Sequence, residues 1–278
     1  MKNCLIMGFG RSGTSLMGGI LHQAGYYMGE DLYPARHSNP VGFFECALIN
    51  GINEEILSPF DYKNQNIDYP KLDKTHSPYA PGIGHRWLSY IPEKTQISFH
   101  NHLVEQQIKE SVSISNYAYK DPRFNYTLNT WMPFLKKDTI FLCMFRNPSD
   151  TIDSVVKECS TAEYLADFTI NQELTEMLWQ NSYSHLLHIV KQNPDRKFVF
   201  IHYNQLLDGS VMDMLSSILM ADINSHFVDS SLNRTSSNYI INRKTKRIYK
   251  HLCQLANYKS KNPSIAFKIR HYLFSKKQ

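Results

Sequence analysis

Three runs along the chain are almost wholly apolar or aromatic: CLIMGF at 4–9, TIFLCMF at 139–145 and KFVFIHY at 197–203. A fourth run, NYAYK at 116–120, is shorter and more mixed. Runs of this length fit strands, and near-continuous apolarity fits parallel strands buried on both faces. Helical periodicity follows at 14–24, about 148–158 and 211–220, with a longer amphipathic pattern over 171–193 ahead of the last strand. Strand alternating with helix predicts an α/β fold with a doubly wound, mostly parallel central sheet. Residues 59–95 break the rhythm with Pro59, Pro70, Pro78, Pro81 and Pro92 and few aliphatic runs. A long irregular stretch in a compact domain is usually functional or inserted. The expected organisation is one domain over 1–278, a cap or insertion at about 59–115, and a distinct C-terminal segment at about 230–278.

Composition adds compartment and charge. The 278 residues are 42% hydrophobic and 13% aromatic, which suits a packed core rather than a disordered chain. Five scattered cysteines without a C-x-x-C pair, two of them inside strand-like runs, suggest buried free thiols in a reducing compartment. GFGRSGTS interrupts the N-terminal apolar run too early for a signal peptide, and no run is long enough to span a membrane. A cytoplasmic location is therefore expected. The formal net charge of +5 hides an asymmetry: residues 230–278 carry twelve Lys/Arg and no Asp/Glu, against 18 basic and 25 acidic residues elsewhere. Such a tail suits an anionic neighbour, or a solvated helical face.

The chemistry begins at LIMGFGRSGTSLMGGIL, residues 5–21. Gly8, Gly10 and Gly13 satisfy the dinucleotide fingerprint, and Gly8–Ser15 fits the P-loop except that Thr14 replaces its lysine. The dinucleotide reading needs a second strand ending in an acidic residue about 20 positions on. QAGYYMGEDLYPARHSNP is a poor strand, although Glu30 and Asp31 lie at the right distance. What remains is a P-loop-like cradle for an anion other than a triphosphate, within a P-loop-NTPase-like three-layer fold. Amides of residues 10–15 (Gly10, Arg11, Ser12, Gly13, Thr14, Ser15) would surround the anion at a helix N-terminus. Arg11 adds a planar guanidinium. A second anion site is legible in MFRNPSDTIDSV, where Arg146 leaves a strand and Ser154 sits two turns into the next helix.

Together these stretches resemble the 5′-phosphosulfate loop and the 3′-phosphate motif of sulfotransferases that use 3′-phosphoadenosine 5′-phosphosulfate (PAPS). NPVGFFE at 39–45 resembles the N-P-x-G-x-x-E segment of bacterial carbohydrate and tyrosylprotein sulfotransferases, YKDPRF at 119–124 their K-D-P strand end, and FVFIHYNQLL their late strand. The resemblance covers residues 4 to about 208, with a weaker continuation in RTSSNYIINRK at 234–244. It implies Glu45 as base, with Lys120 and Arg11 stabilising the transferred sulfonate and the leaving 5′-phosphate. It also implies Arg146 and Ser154 on the 3′-phosphate, completed by Ser236, Ser237 and a basic residue among Arg243, Lys244 and Lys246. It implies PAPS as donor, bisphosphate (PAP) as product and no required metal. The expected acceptor is a carbohydrate, glycan or glycolipid, reached beneath the cap. Arginine at the Arg11 position resembles the tyrosylprotein and bacterial branches.

Other readings stay open at this stage. A P-loop kinase with a displaced lysine would need a Walker-B aspartate, and none is convincing. A non-catalytic donor- or glycan-binding protein has no chemical need for Arg11, Glu45 and Lys120 together. Lys120 could instead pair with Asp121, a residue better suited to orienting its neighbours, and Arg123 could meet a ligand or cap a loop. His100 and His102 offer an alternative base more readily than a metal pair, because no third ligand lies nearby. His85, Arg86 and Trp87 could form a sugar platform or pack. IAFKIRHYLFSKKQ at 265–278 reads as a basic amphipathic helix able to rest on the inner, anionic face of a membrane. Nucleic acid is not expected, since no recognisable binding module accompanies the charge.

Overall fold

A computed structural model of the chain describes residues 1–36, 39–60, 84–93, 95–97, 99–165, 170–229 and 236–259. The strands are β1 (Cys4–Met7), β2 (Ala118–Lys120), β3 (Ile140–Phe145) and β4 (Lys197–His202). They form one parallel sheet in the order β2-β1-β3-β4. The helices are α1 (Thr14–Gln23), α2 (Ala47–Leu57), α3 (His102–Ser113), α4 (Phe124–Trp131), α5 (Pro148–Thr161), α6 (Gln172–Gln192), α7 (Tyr203–Leu207), α8 (Met212–Leu219) and α9 (Arg243–Leu255). The four strand-like runs and the helices expected at 14–24, 148–158, 171–193 and 211–220 all form, within a few residues at their ends.

The period of two along each strand sorts the core into two layers. Leu5, Met7, Phe141, Cys143, Phe145 and Phe200 face one side, packed with α2, α3, α4, α5, α6 and α9. Cys4, Ile6, Ile140, Leu142, Met144 and Ile201 face the other, against α1, α7 and α8. Helices on both faces make the three-layer α/β sandwich. Because β1 has β2 on one side and β3 on the other, the carboxyl ends of these strands open a crevice where the strand order reverses. Open α/β sheets bind ligands at such switch points.

Of the expected cap at 59–115, residues 61–83 lie outside the described residues. Around them, a short 3₁₀ turn spans Arg86–Leu88, and α3 buries Val104, Ile108 and Val112 in the main core. The amphipathic pattern at 265–278 also lies outside the described residues. Cys4, Cys46, Cys143 and Cys159 are buried free thiols, and Cys253 is a half-buried one. No helix among the described residues is long and apolar enough to cross a membrane.

Phe141 is fully buried at the centre of the larger core layer and stacks on Phe198 with ring centroids 4.7 Å apart. Phe141→Ala is expected to cost ~3–5 kcal/mol of unfolding free energy through lost burial and a residual cavity. Urea denaturation followed by circular dichroism measures this. A loss below about 1 kcal/mol would show that the layer collapses around the gap.

Candidate active site

The loop between β1 and α1 is shaped by contacts that only glycine permits. A Cβ on Gly8, whose φ is 145°, would lie 2.3 Å from the Met144 carbonyl oxygen on β3. A Cβ on Gly13, with φ 94°, would lie 2.5 Å from the Tyr203 ring, and one on Gly10 would lie 2.4 Å from Trp87. The Tyr183 hydroxyl ties the loop to the sheet, donating to Met144 O (2.8 Å) and accepting from Phe9 N (3.3 Å). Gly13 caps α1 without a side-chain hydrogen bond, so the first amides of the helix face the crevice with their dipole unscreened. Arg11 holds a left-handed φ of 66°, an uncommon conformation for a non-glycine residue and one that tends to mark functional sites.

These residues line a cleft of about 640 Å³ at the carboxyl end of the sheet. Gly10, Arg11, Gly13, Thr14 and Ser15 form its floor, and Glu45, Lys120, Arg146, Ser154 and Ser236 also line it. The structure thus brings together ten of the residues the sequence singled out. Ser12 departs from the expectation. Its hydroxyl and its amide both donate to Phe9 O, at 2.5 and 3.2 Å, and the residue is sealed from solvent outside the cleft lining. Ser237, half-buried, also lies outside the cleft lining: its amide donates to Asp150 Oδ1 (3.1 Å) and its hydroxyl accepts from Tyr239 N (3.0 Å). Of the tail cations, Lys244 pairs with Glu93.

At the end of β2, Lys120 is 3% exposed and its ammonium meets the Glu45 carboxylate. It also donates to Ser15 Oγ (3.2 Å) and Phe43 O (3.1 Å). Three donors on three acceptors satisfy a lysine completely. The partner is Glu45 and not the neighbouring Asp121, whose carboxylate accepts from Asn50 Nδ2 (2.7 Å), Asn53 Nδ2 (2.9 Å) and the Arg123 amide (2.8 Å). Arg123 in turn donates to Asp121 (3.0 Å), Glu54 (2.5 Å) and the Gly84 carbonyl (2.9 Å). Burial alone would lower the Arg123 pKa, but Asp121 and Glu54 outweigh it and raise the pKa. Glu54 also receives Arg86 Nη1 (2.8 Å) and the Arg86 amide (3.1 Å). Arg86 is therefore an anchor for the 84–93 segment rather than a sugar platform, while Trp87 packs on the loop at Gly10.

Across the cleft, Arg11 donates from Nε to Ser154 Oγ (3.1 Å), and its Nη1 lies 3.7 Å from Glu158 on α5. Arg146 lies over the Tyr203 ring at 4.7 Å with its Nε 3.9 Å from Asp150. Burial lowers the Arg146 pKa, with Asp150 opposing, and burial raises that of Asp150, with Arg146 opposing. His102 opens α3 and His100 precedes its N-cap; both are exposed outside the cleft lining, and His100 faces Glu105 at 3.6 Å. Tyr203, Glu158, Tyr164 and Arg36 are also among the lining residues, and the sequence assigned none of them a role. Glu158 lies one helical turn after Ser154 and so was accessible to a helical-face argument. Arg36 carried no such signal.

A family model described as the sulfotransferase family matches residues 4–218. The chain belongs to that family. Two solved structures are similar to it. The sulfotransferase domain from the curacin biosynthetic pathway is 14% identical, with a TM-score of 0.48, covering 93% of this chain and 98% of the other. Sulfotransferase STF9 from Mycobacterium avium is 11% identical, with a TM-score of 0.43, covering 98% and 76%. No curated protein sequence matches. Sulfonate transfer is thus the general chemistry of this sulfotransferase, and family membership rests on the match over 4–218.

One titratable group at the site's edge reports on its integrity. His202 ends β4, accepts the Asn204 amide at Nδ1 (3.1 Å) and meets the Tyr249 hydroxyl at Nε2 (3.1 Å). Burial, then the Arg146 guanidinium, lower its pKa from 6.5 to about 3. Between those values the unfolded chain binds the extra proton, so this contribution to stability is complete above about pH 6.5 and is lost as pH falls towards 3. In His202→Asn, which keeps an acceptor at the helix cap, the fall of the urea midpoint across that range is expected to flatten. Equal pH slopes in the two proteins would contradict the assignment.

Proposed function

We propose that the sulfotransferase moves a sulfonate from PAPS to a carbohydrate hydroxyl. The observation that supports this most strongly is the meeting of Glu45, Lys120 and the glycine loop at Ser15. One cluster then holds a candidate base and the positive charge that sulfonate transfer needs. PAPS supplies an activated sulfonate with a bisphosphate leaving group. The residues present fit such a donor. The loop amides and Arg11 offer one anion cradle, Arg146 and Ser154 offer a second in the same cleft, and the chemistry of both sets suits phosphate.

Glu45 accepts the proton of the acceptor O–H, and its contact with the Lys120 ammonium orients the carboxylate for that step. All three Lys120 donors are engaged, so the ammonium reaches a transferring group only by giving up a partner, and Ser15 at 3.2 Å is the longest contact. Arg11 and the loop amides supply fixed positive charge where negative charge develops. Arg146, positioned over the Tyr203 ring, and Ser154 hold the far phosphate and fix orientation. Tyr33, Trp87 and Tyr164 line the cleft and offer ring faces to a sugar, which favours a carbohydrate acceptor over a purely apolar one. The basic face of α9 is consistent with the chain working beside an anionic membrane surface in the cytoplasm.

The test is sulfonate transfer from radiolabelled PAPS to a pooled panel of sugars. Glu45→Gln is expected to lower kcat by roughly 10²–10⁴-fold, the usual worth of general base catalysis, with the donor KM within about threefold. Wild-type turnover in Glu45→Gln would remove Glu45 from the chemistry.

A further inference from the structure

Most of the cations lining the cleft are opposed by a carboxylate. Lys120 meets Glu45, Arg123 meets Glu54 and Asp121, Arg11 approaches Glu158, and Arg146 approaches Asp150. Arg36 is different. Among the described residues no carboxylate pairs with it, although it lines the same cleft and is exposed. It is nonetheless held in place. Reciprocal backbone hydrogen bonds with Asn39, at 3.2 and 2.9 Å, fix its turn, and its guanidinium lies 4.6 Å above the Tyr164 ring. Tyr164 is fixed as well, its hydroxyl donating to the buried Glu158 at 3.2 Å and its ring 6.0 Å from that of His85.

A guanidinium held over an aromatic ring by a cation–π contact still has N–H groups to offer, and its planar fork can grip an oxyanion with two parallel hydrogen bonds. Lys157, exposed on α5 and lining the cleft, adds a second positive charge with no carboxylate partner among the described residues. We infer that Arg36, stacked on Tyr164 and supported by Lys157, binds an oxyanion carried by the acceptor: a carboxylate, a phosphate ester or a sulfate ester remote from the hydroxyl that reacts. The inference rests on the sulfonate-transfer reading and narrows its acceptor to an anionic sugar. Such a group anchors the acceptor at a second point, so the hydroxyl is presented to Glu45 in one orientation. It also selects against neutral sugars, which leave the Arg36 edge without a partner.

Calorimetric titration of the full chain with glucuronate, glucose 6-phosphate, glucose 6-sulfate and neutral methyl glucoside tests this, at low and high salt. At least one anionic sugar is expected to bind roughly tenfold or more tightly than methyl glucoside, as one charge-assisted contact allows, with the advantage shrinking in salt. The sugar that wins identifies the oxyanion as carboxylate, phosphate or sulfate. Arg36→Gln should erase the advantage and Arg36→Lys should restore part of it. Binding of 3′,5′-adenosine bisphosphate should stay within about twofold in both variants, since a donor contact would not be spared. The inference is overturned if no anionic sugar outbinds methyl glucoside, or if Arg36→Gln weakens the bisphosphate and leaves sugar preference intact. Failure of the wild type to bind the bisphosphate would contradict the donor assignment instead, while the sugar comparison still decides the role of Arg36.

Discussion

A lysine ammonium almost sealed from water dictates the arrangement of everything around it. Lys120 is 3% exposed at the end of β2, and an unpaired charge there would be prohibitively costly. Glu45, Ser15 and the Phe43 carbonyl must therefore come to it, which draws the 39–45 segment and the glycine loop to one point. Asp121, the next residue, imposes the mirror-image demand. Its buried carboxylate recruits Asn50 and Asn53 from α2 and Arg123 from the start of α4. Glu54 extends that network to Arg86. Two adjacent residues of opposite charge thus fasten the loop, α2 and the 84–93 segment to a single strand end.

The opposite wall obeys a different logic. There α5 presents Ser154 and Glu158 on one face, one turn apart, and Arg11 reaches both across the cleft from its left-handed position in the loop. Arg146 leaves β3 and lies on Tyr203, which itself fills the space beside Gly13. The Asp150 carboxylate links this wall to the chain segment at Ser237. Two groups of anion-binding donors, the glycine loop with Arg11 and the Arg146–Ser154 pair, line one cleft and meet where Arg11 donates to Ser154, an arrangement that suits a ligand with more than one phosphate better than a single phosphate.

What could be read in the sequence follows from how local each feature is. β1, β3 and β4 were legible because burial on both faces forces unbroken apolar runs. The loop was legible because its glycines are required by contacts as close as that between Gly8 and the Met144 carbonyl. Lys120 and Glu45 emerged from motif resemblance, but their pairing joins segments that periodicity cannot connect. Arg36 on Tyr164 and Arg11 against Glu158 are contacts between opposite halves of the chain, and no spacing rule announces them. Ser12 shows the converse failure. The motif counts its amide among the anion donors, while the loop turns both that amide and the hydroxyl onto Phe9 O.

The central claim is that the cleft is built for a donor phosphorylated at both ends and held by side chains and amides without a metal. Calorimetric titration with 3′,5′-adenosine bisphosphate and with adenosine 5′-monophosphate, each in excess chelator, tests it directly, in wild type and Arg146→Ala. The account predicts that the bisphosphate binds at least about a hundredfold more tightly than the monophosphate, the worth of two charge-assisted contacts, and that Arg146→Ala erases most of the difference. Equal affinities for the two nucleotides, or bisphosphate binding indifferent to Arg146→Ala, would contradict it.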